Sequence, residues 1–480
     1  MPSTTARSGV GLRSERGPIL LSLMLSTALV ALDATIIATA ASTIVRELGS
    51  FQRLPWLFSS FLLAQAVSTP VFGRLADIVG RKRLMLVGIG LFFVGSAVAG
   101  AAPSMGVLIA GRALQGLGAG AVMPVSMTIT SDIYTLEERA RAQGYLASVW
   151  GLSSVVGPTL GGVFTQFVSW RWIFWVNLPL AVVAAAMLAL RYREPRQVSH
   201  RDPVDYLGAV LLSGGSTLLL LGLLEGGWVR YAGAAVLLAG FVVRARTARH
   251  PIIDLAILRR RVIGASTTGA LLIGVIVVGL STYVPIYAQE VLGFGALLAG
   301  FALAALTLGW PLSAAQAGRF YLRLGFRLTA VIGSSLVLVG AASMLLLGPT
   351  TPLALVAVFC FVIGAGMGLT AVPTLIAAQE SARPTERGAV TGTNMFARSL
   401  GMAVGVAVLG AIVNAHTTLG ADGAPHGPGI MTAMRWVFGV LAAVAVLLVA
   451  AAAAMPKDRD EAVARRAAAA ADPEVVEAAA

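Results

Sequence analysis

Long apolar stretches constrain this chain more than any other feature of its sequence. A helix that crosses a membrane needs about 20 predominantly apolar residues, and fourteen such stretches run through the 480 residues. Backbone polar groups in hydrocarbon must be satisfied internally, and no barrel-like alternation appears, so the stretches are predicted to be helices. They define an all-α polytopic membrane protein whose spans 1 to 14 are predicted at residues 18–41, 54–73, 84–102, 107–130, 141–165, 172–190, 205–224, 228–243, 263–287, 297–318, 328–347, 353–378, 388–413 and 433–455.

The composition supports the same class. Hydrophobic residues make up 57% of the chain and charged residues only 12%, whereas soluble proteins carry about a quarter charged residues. The net charge of +13 does not indicate nucleic-acid binding, because the basic residues are spread among the apolar stretches. The single cysteine, Cys360, excludes an intramolecular disulfide framework.

Positive charge is distributed unevenly between the predicted loops. With the N-terminus inside, 28 of the 35 Lys and Arg residues fall in cytoplasmic segments, five in external ones and two within spans. This asymmetry follows the positive-inside rule and predicts both termini in the cytoplasm. We expect the protein to lie in the inner (plasma) membrane of a bacterium. The apolar run that begins at Pro18 is longer than a signal-peptide core, so we expect an uncleaved first helix.

The chain contains an internal repeat. GRLADIVGRKR (73–83) follows span 2 and GRFYLRLGFR (318–327) follows span 10; both begin Gly-Arg and carry a second glycine seven residues later. GLGAG in span 4 and GAGMG in span 12 match at nearly the same separation. Such duplication is found in many transporters. It pairs spans 1–6 with spans 9–14 and leaves spans 7 and 8 as an inserted pair.

The predicted organisation is therefore 6+2+6. Its parts are a cytoplasmic N-terminal tail at 1–17, a six-helix bundle at 18–190, the inserted pair with its flanking loops at 191–262, a second six-helix bundle at 263–455 and a polar cytoplasmic tail at 456–480.

One carboxylate lies well inside a predicted span. Asp33 is in LSTALVALDATIIATAAS, and Arg112 is in span 4 with Gln115 and Met123 on the same helical face. A charge at the centre of a span costs roughly 2.5–3.5 kcal/mol on insertion scales and is functional by default. Two interpretations stay open. Asp33 and Arg112 neutralise each other as a buried pair, or Asp33 exchanges a proton between the two sides, because desolvation and a nearby cation act oppositely on its charge.

Small residues recur along span 5. Gly151, Ser154, Pro158 and Gly161 follow each other at steps of three or four residues and allow another helix to approach closely. Gly157 and Pro158 also permit a bend. Ordinary helix packing is the alternative interpretation.

Aromatic and histidine side chains receive structural interpretations. Trp170, Trp172 and Trp175 lie at the external end of span 6, where an interfacial aromatic belt is expected. The histidines fall in predicted loops and match no metal-site spacing; they are His200, His250, His416 and His426.

Six segments together resemble the major facilitator superfamily, specifically its fourteen-span drug:proton antiporter branch. They are LDATIIATA in span 1, GRLADIVGRKR after span 2, RALQGLGAG in span 4, GLSSVVGPTLGG in span 5, WRWIFWVNLP at span 6 and RSLGMAVGVAVLG in span 13. The resemblance covers nearly all of the chain except its tails. It implies two six-helix halves that rock about a central cavity.

The resemblance implies a cytoplasmic latch between the halves at the loop after span 2. In this interpretation Asp77 faces the start of span 13, where a helix N-terminus favours an acid, and Arg387 or Arg398 adds a counter-charge. The second copy of the loop has Leu322 in place of Asp77, so the latch is predicted to be one-sided. The alternative is that the basic residues only set topology. The latch residues are Gly73, Asp77, Gly80, Arg81 and Arg398.

The resemblance also implies proton coupling by Asp33 and Arg112 and a substrate cavity lined by spans 1, 4, 9 and 12. Spans 9–14 hold no acid near their middles, so we expect few protons per cycle and lipophilic neutral or monovalent cationic substrates. The span 5 pattern, which the resemblance associates with proton-exchanging exporters, comprises Gly151, Gly157, Pro158, Gly161 and Gly162. The candidate substrate contacts are Gln115, Met123, Tyr283 and Met367.

The expected function is proton-coupled export of drugs, dyes or antibiotics. We expect the partners to be a small lipophilic substrate, protons and the lipid bilayer, with no nucleic acid, no metal, no cofactor beyond the proton gradient, and a functional monomer. A dedicated exporter of an endogenous lipid, antibiotic or metabolite shares every motif and stays open. A membrane-embedded enzyme would need clustered His, Asp or Glu within the spans, and Asp33 and the span 5 pattern disfavour a proton-independent uptake carrier.

Overall fold

The computed structural model describes residues 10–11, 14–49, 53–194, 205–249, 251–253, 255–419, 425–426 and 429–457. Its helices are α1 (Gly17–Leu48), α2 (Leu54–Val79), α3 (Arg81–Gly100), α4 (Met105–Ile133), α5 (Leu136–Phe167), α6 (Trp172–Trp175), α7 (Asn177–Arg191), α8 (Tyr206–Glu225), α9 (Trp228–Thr247), α10 (Leu255–Leu258), α11 (Arg261–Ile286), α12 (Ala296–Leu324), α13 (Phe326–Ser343), α14 (Leu353–Glu380), α15 (Arg387–His416) and α16 (Ile430–Ala453). A π-helical turn (Tyr287–Val291) continues α11, a 3-10 turn (Met344–Leu346) follows α13, and two short strands, β1 (Thr418–Leu419) and β2 (Pro425–His426), pair antiparallel. Most of the predicted N-terminal tail and residues 458–480 of the C-terminal tail lie outside the described residues.

The described residues form an almost wholly helical chain, as predicted. Thirteen of the described helical segments are long and apolar enough to cross a membrane, and the apolar part of α8, Tyr206–Gly222, is shorter. Every predicted span corresponds to a helix, except that span 6 is divided into α6 and α7 at Val176.

The two copies of the repeated loop form the same turn. Gly80 ends α2 and begins α3 with φ of 103°, and Gly325 ends α12 and begins α13 with φ of 86°. A positive φ is open to glycine at little steric cost. The second glycine of each GR-containing loop therefore reverses the chain between two antiparallel helices.

Helices α1–α7 pack into a first bundle and α11–α16 into a second one. The first bundle has an apolar interior built around residues such as Leu29, Phe61 and Phe92, and the second around Ile276, Cys360 and Leu441. Helices α8 and α9 pack on each other.

The inserted helices rest on the seam between the bundles. Leu212 of α8 and Phe241 of α9 form an apolar cluster with Ile252. Val71 of α2 and Phe396 of α15 pack against this cluster, so the insertion contacts both bundles.

Both described ends of the chain lie on one face of the molecule, here called the terminus face. Arg16, which precedes α1, forms an ion pair of 2.9 Å with Glu138 at the start of α5. Ala452, at the end of α16, packs in a cluster with Ala140 of α5.

The expectation of an interfacial aromatic belt is wrong for Trp170. This side chain is 1% exposed, and its indole N–H donates a 2.6 Å hydrogen bond to Glu47 near the end of α1. Trp172, by contrast, is exposed. Trp170 is buried because α6 folds back over the ends of α1 and α3, where Ala99 and Ala102 line the same apolar cluster.

Candidate functional site

Asp33 lies in the interior of the first bundle with no exposed surface. Its Oδ2 atom accepts a short hydrogen bond from Nη1 of Arg112, and the two side chains form a buried ion pair between α1 and α4. A buried carboxylate is strongly destabilising when its partner is missing, by about 3–5 kcal/mol. The pair that the sequence left open is therefore observed, and the exchange of a proton by Asp33 stays a prediction.

Three amide and hydroxyl side chains complete a polar cluster around the pair. The Nε2 atom of Gln115 donates to Asp33 Oδ1 at 3.1 Å and to the Ser96 hydroxyl at 2.8 Å, while its Oε1 accepts from Arg112 at 2.9 Å. Asn177 of α7 donates to Asp33 Oδ1 at 3.5 Å. Side chains of α1, α4 and α7 thus meet at one carboxylate, and α3 joins the cluster through Ser96 and Gln115.

The remaining surface of the Arg112 guanidinium is also occupied. Its Nε donates to the Leu57 carbonyl at 3.1 Å, and its central carbon lies 4.4 Å from the centroid of the Phe61 ring, within range of a cation–π contact. Loss of the ion pair with Asp33 would leave the contacts of Arg112 with Leu57 and Phe61 in place. Arg112 therefore has contacts that do not depend on the charge of Asp33.

Sequence reasoning missed Ser96 and Asn177. Asn177 is the polar residue within WRWIFWVNLP, a segment interpreted only as an external aromatic end. Ser96 is one hydroxyl in an apolar helix and carries no signal that distinguishes it from the many serines that bond their own helix backbone.

Asp77 joins the two bundles at the terminus face. Its Oδ1 accepts from the backbone N–H of Gly388 at 3.1 Å and its Oδ2 from that of Ala389 at 2.9 Å. These are the first turns of α15, whose N-cap residue Glu386 makes no side-chain cap. The predicted position of Asp77 at the start of this helix is observed, and its action as a latch stays a prediction.

Arg81 lies beneath this contact and is 1% exposed. Its Nη2 is 3.2 Å from Asp77 Oδ1 and donates to the Pro384 carbonyl at 2.6 Å. Its Nε is 2.9 Å from Asp132 Oδ2, as an ion pair without aligned hydrogen-bond geometry. Arg387 of the second bundle reaches the other oxygen of Asp132 at 3.3 Å.

A second ion pair crosses between the bundles nearby. Arg139 of α5 donates a short hydrogen bond to Glu380 at the end of α14. Neither Asp132 nor Glu380 was singled out from the sequence, because both lie at predicted span ends, where solvated acids are common.

Gly73 and Gly80 each require a glycine, for different structural reasons. A Cβ on Gly73 would lie 2.9 Å from the Cα of Gly392, so α2 and α15 cross here at backbone contact. Such close crossings require small residues on both helices. Gly80 provides the turn already described.

Arg398 does not belong to this group of contacts, which corrects the latch assignment. It lies eleven residues after Arg387 on α15, which is about 16 Å along the helix axis. The counter-charges near Asp77 come instead from Arg81 on its own side of the loop.

The span 5 residues contact two different helices. A Cβ on Gly157 would collide with Thr35 of α1, and one on Gly151 would approach Pro311 of α12 at 3.7 Å. Gly161 is buried, whereas a Cβ on Gly162 would meet nothing within 4 Å. The side chain of Pro158 lies outside the part of the chain that the structure describes.

The four candidate substrate contacts are mostly buried in this conformation. Gln115 and Met367 have no exposed surface, and Met123 and Tyr283 retain 8% and 6%. Gln115 belongs to the polar cluster of Asp33, and Met367 and Tyr283 pack in the interior of the second bundle. Their contact with substrate stays a prediction that needs a change of conformation.

Two bundles of apolar helices long enough to cross a membrane, with a buried charge pair in one of them and ion pairs that join them at one face, define a polytopic membrane protein. Residues 23–406 match the Major Facilitator Superfamily. The chain belongs to this family of transporters and is not an enzyme.

Comparisons with individual proteins agree with this family assignment. The chain is 33% identical over 423 residues to Multidrug resistance protein 3 of Bacillus subtilis (strain 168), covering 86% of this chain and 81% of that protein. It is 30% identical over 417 residues to Multidrug transporter protein MdtP of the same organism, covering 85% and 77%. The fold is similar to the crystal structure of the human organic anion transporter MFSD10, with a TM-score of 0.64 at 17% identity, covering 91% of this chain and 99% of that one.

Proposed function

We propose that this chain is a proton-coupled exporter of lipophilic compounds that works by alternating access. The observation that carries the proposal is the fully buried Asp33–Arg112 pair, the intramembrane acid and base of the first bundle. Similarity to a multidrug resistance protein and a multidrug transporter supports the direction and breadth of transport. A secondary exporter of this kind needs a proton gradient and no bound cofactor, and we propose that it acts as a monomer.

We place the terminus face in the cytoplasm of a bacterium, with fourteen spans arranged 6+2+6. The excess of basic residues in the segments of this face supports that orientation. The matching turns at Gly80 and Gly325 support duplication of the six-helix unit. In this arrangement, the contacts of Asp77, Arg81 and Arg139 across the bundles close the cytoplasmic side.

The proposed coupling follows from the cluster geometry. With the cytoplasmic side closed, Asp33 is paired with Arg112 and hydrogen-bonded by Gln115. Protonation of Asp33 would break its ion pair with Arg112, and the guanidinium would keep its contacts with the Leu57 carbonyl and the Phe61 ring. A proton on Asp33 therefore leaves Arg112 held only by neutral partners, without its counter-charge. This changed balance between α1 and α4 is the kind of local event that can bias two conformations.

Everted membrane vesicles with an imposed pH gradient test the proposal. The Asp33→Asn variant should still bind a lipophilic dye but should lose uptake driven by the gradient. Asp205→Asn is a matched control, because Asp205 is also a buried aspartate paired with an arginine, Arg244, but lies on the inserted helices. Gradient-driven uptake by Asp33→Asn at the wild-type rate would contradict the proposal.

A further inference from the structure

Arg398 is a mid-helix cation of the second bundle. It lies within the segment Arg387–His416, one of the helices long and apolar enough to cross a membrane, and about 16 Å from the terminus-face end of that helix. The backbone of α15 packs tightly against α11 here, since a Cβ on Gly274 would collide with the Arg398 carbonyl.

Among the described residues, Arg398 has no hydrogen-bond or ion-pair partner. This contrasts with Arg112, which is bonded to Asp33, Gln115 and Leu57. An ionised side chain at this depth is costly unless it is paired or reaches water. Arg398 therefore needs either a solvent-filled space or an anion.

The packing of its neighbours shows which way Arg398 faces. Asn394, one turn earlier, donates to Ser266 of α11, and a Cβ on Gly401, one turn later, would collide with Leu271 of the same helix. Met395 packs in the apolar cluster of the first bundle. Because side chains three and four residues apart share a helix face, Arg398 lies between the α11 contact and the border with the first bundle.

Arg398 is half-buried, unlike the fully buried Arg112. Its remaining accessible surface lies on the side of α15 that faces the border between the two bundles. In alternating access a substrate passes between the bundles.

We propose that Arg398 binds an anionic or acceptor-rich group of the substrate, a carboxylate or sulfonate above all, in the space between the bundles. The proposal rests on the proposed exporter function and determines the charge class of its substrates. It retains the neutral compounds expected from the sequence and replaces the monovalent cations with lipophilic anions.

The charge balance of the membrane-spanning interior supports this class. Asp33 cannot attract a cationic substrate in this conformation, because Arg112 neutralises it and it has no exposed surface. Arg398 leaves one uncompensated positive charge next to the central space. A guanidinium matches a carboxylate with two parallel N–H donors, so a lipophilic anion supplies the missing partner, whereas a cation is repelled.

Two xanthene dyes of opposite charge test the proposal by fluorescence polarisation on purified protein in lipid nanodiscs. Fluorescein carries a carboxylate, and rhodamine 6G is a monovalent cation of similar size. We expect wild-type protein to bind fluorescein more tightly, and Arg398→Gln to weaken fluorescein binding about 10- to 100-fold, as for a lost charged hydrogen-bond pair. Rhodamine 6G should bind Arg398→Gln as well as wild type or better.

The controls separate charge from folding. Arg398→Lys should keep the preference for fluorescein, and Arg435→Gln, which removes an exposed arginine from α16, should change neither affinity. If Arg398→Gln does not fold, the affinities of the wild-type protein for fluorescein and for rhodamine 6G test the proposal by themselves. Equal binding or a preference for rhodamine 6G by wild type, or unchanged fluorescein binding by folded Arg398→Gln, would overturn the proposal. These equilibrium measurements need no proton gradient, so failure of proton coupling in Asp33→Asn vesicles is a distinct result.

Discussion

The Oδ2 atom of Asp77 accepts a 2.9 Å hydrogen bond from the backbone N–H of Ala389. The contact joins the end of α2 to the start of α15, so an acid of one bundle caps a helix of the other. At the corresponding crossing of α12 and α5, α5 is capped within its own chain segment by Thr135 and Glu138. The capping box of α5 already satisfies the N–H groups of Thr135 and Glu138, so the start of α5 depends less than that of α15 on an acid from the other bundle.

Replacing Asp77 with alanine should loosen the terminus face. The N–H groups of Gly388 and Ala389 lose their acceptor, at a cost of about 1–3 kcal/mol when such groups stay buried. Spin labels at the exposed positions Arg141 and Arg383 report the distance between the bundles. We expect a longer, broader distribution in Asp77→Ala and no change in Leu322→Ala. If the distance distributions of Asp77→Ala and Leu322→Ala are the same, Asp77 does not hold the bundles together.

The crossing of α2 and α15 should not tolerate a methyl group at Gly73. A Cβ there would meet backbone atoms of Gly392, including its Cα at 2.9 Å, and backbone cannot move aside as a flexible side chain can. Overpacking of this kind costs about 1–3 kcal/mol, so Gly73→Ala should lower Tm in detergent. Gly162→Ala, where a Cβ would meet nothing within 4 Å, is the control and should leave Tm unchanged.

Arg81 and Arg16 should differ in their effect on stability although both form ion pairs with acids. Arg81→Met leaves the carboxylates of Asp77 and Asp132 buried without this guanidinium, which is expected to cost about 3–5 kcal/mol. Arg16 is 47% exposed in its pair with Glu138, and such surface pairs contribute about 0–1 kcal/mol. Thermal unfolding of Arg81→Met and Arg16→Met compares the two, and equal losses of Tm would contradict the assignment.

The face opposite the termini should show an acid-sensitive contact at Glu47. Hydrogen bonds from Arg171 and then Trp170 lower the pKa of Glu47 below its ordinary value of 4.5. A carboxylate whose pKa is lower in the folded than in the unfolded protein stabilises the fold at pH values above its unfolded pKa. This stabilisation is lost as the pH falls through the folded pKa. The Tm difference between wild type and Glu47→Gln should therefore be constant at pH values well above 4.5 and shrink as the pH falls below that value. Arg171→Gln should remove most of this pH dependence, since Arg171 is the main cause of the shift.

The sequence alone determined the helices, the membrane-protein class and the repeated turn. Each apolar stretch carries its own signal, because a span needs only local length and composition. The glycines of the two loops were likewise readable, since a positive φ is a local backbone property. The pairing of Asp33 with Arg112 could be anticipated as one of two alternatives, because two opposite charges within predicted spans need compensation.

Only the tertiary structure decided which polar groups meet. Asn177 and Ser96 join the Asp33 cluster and Asp132 joins Arg81, although nothing in their own segments marks them. Arg398, which lies in the same predicted latch as Asp77, faces the space between the bundles instead. The reason is that a helix presents a different side chain every 100° or so of rotation, and the rotation of each helix is set by packing against partners distant in the chain.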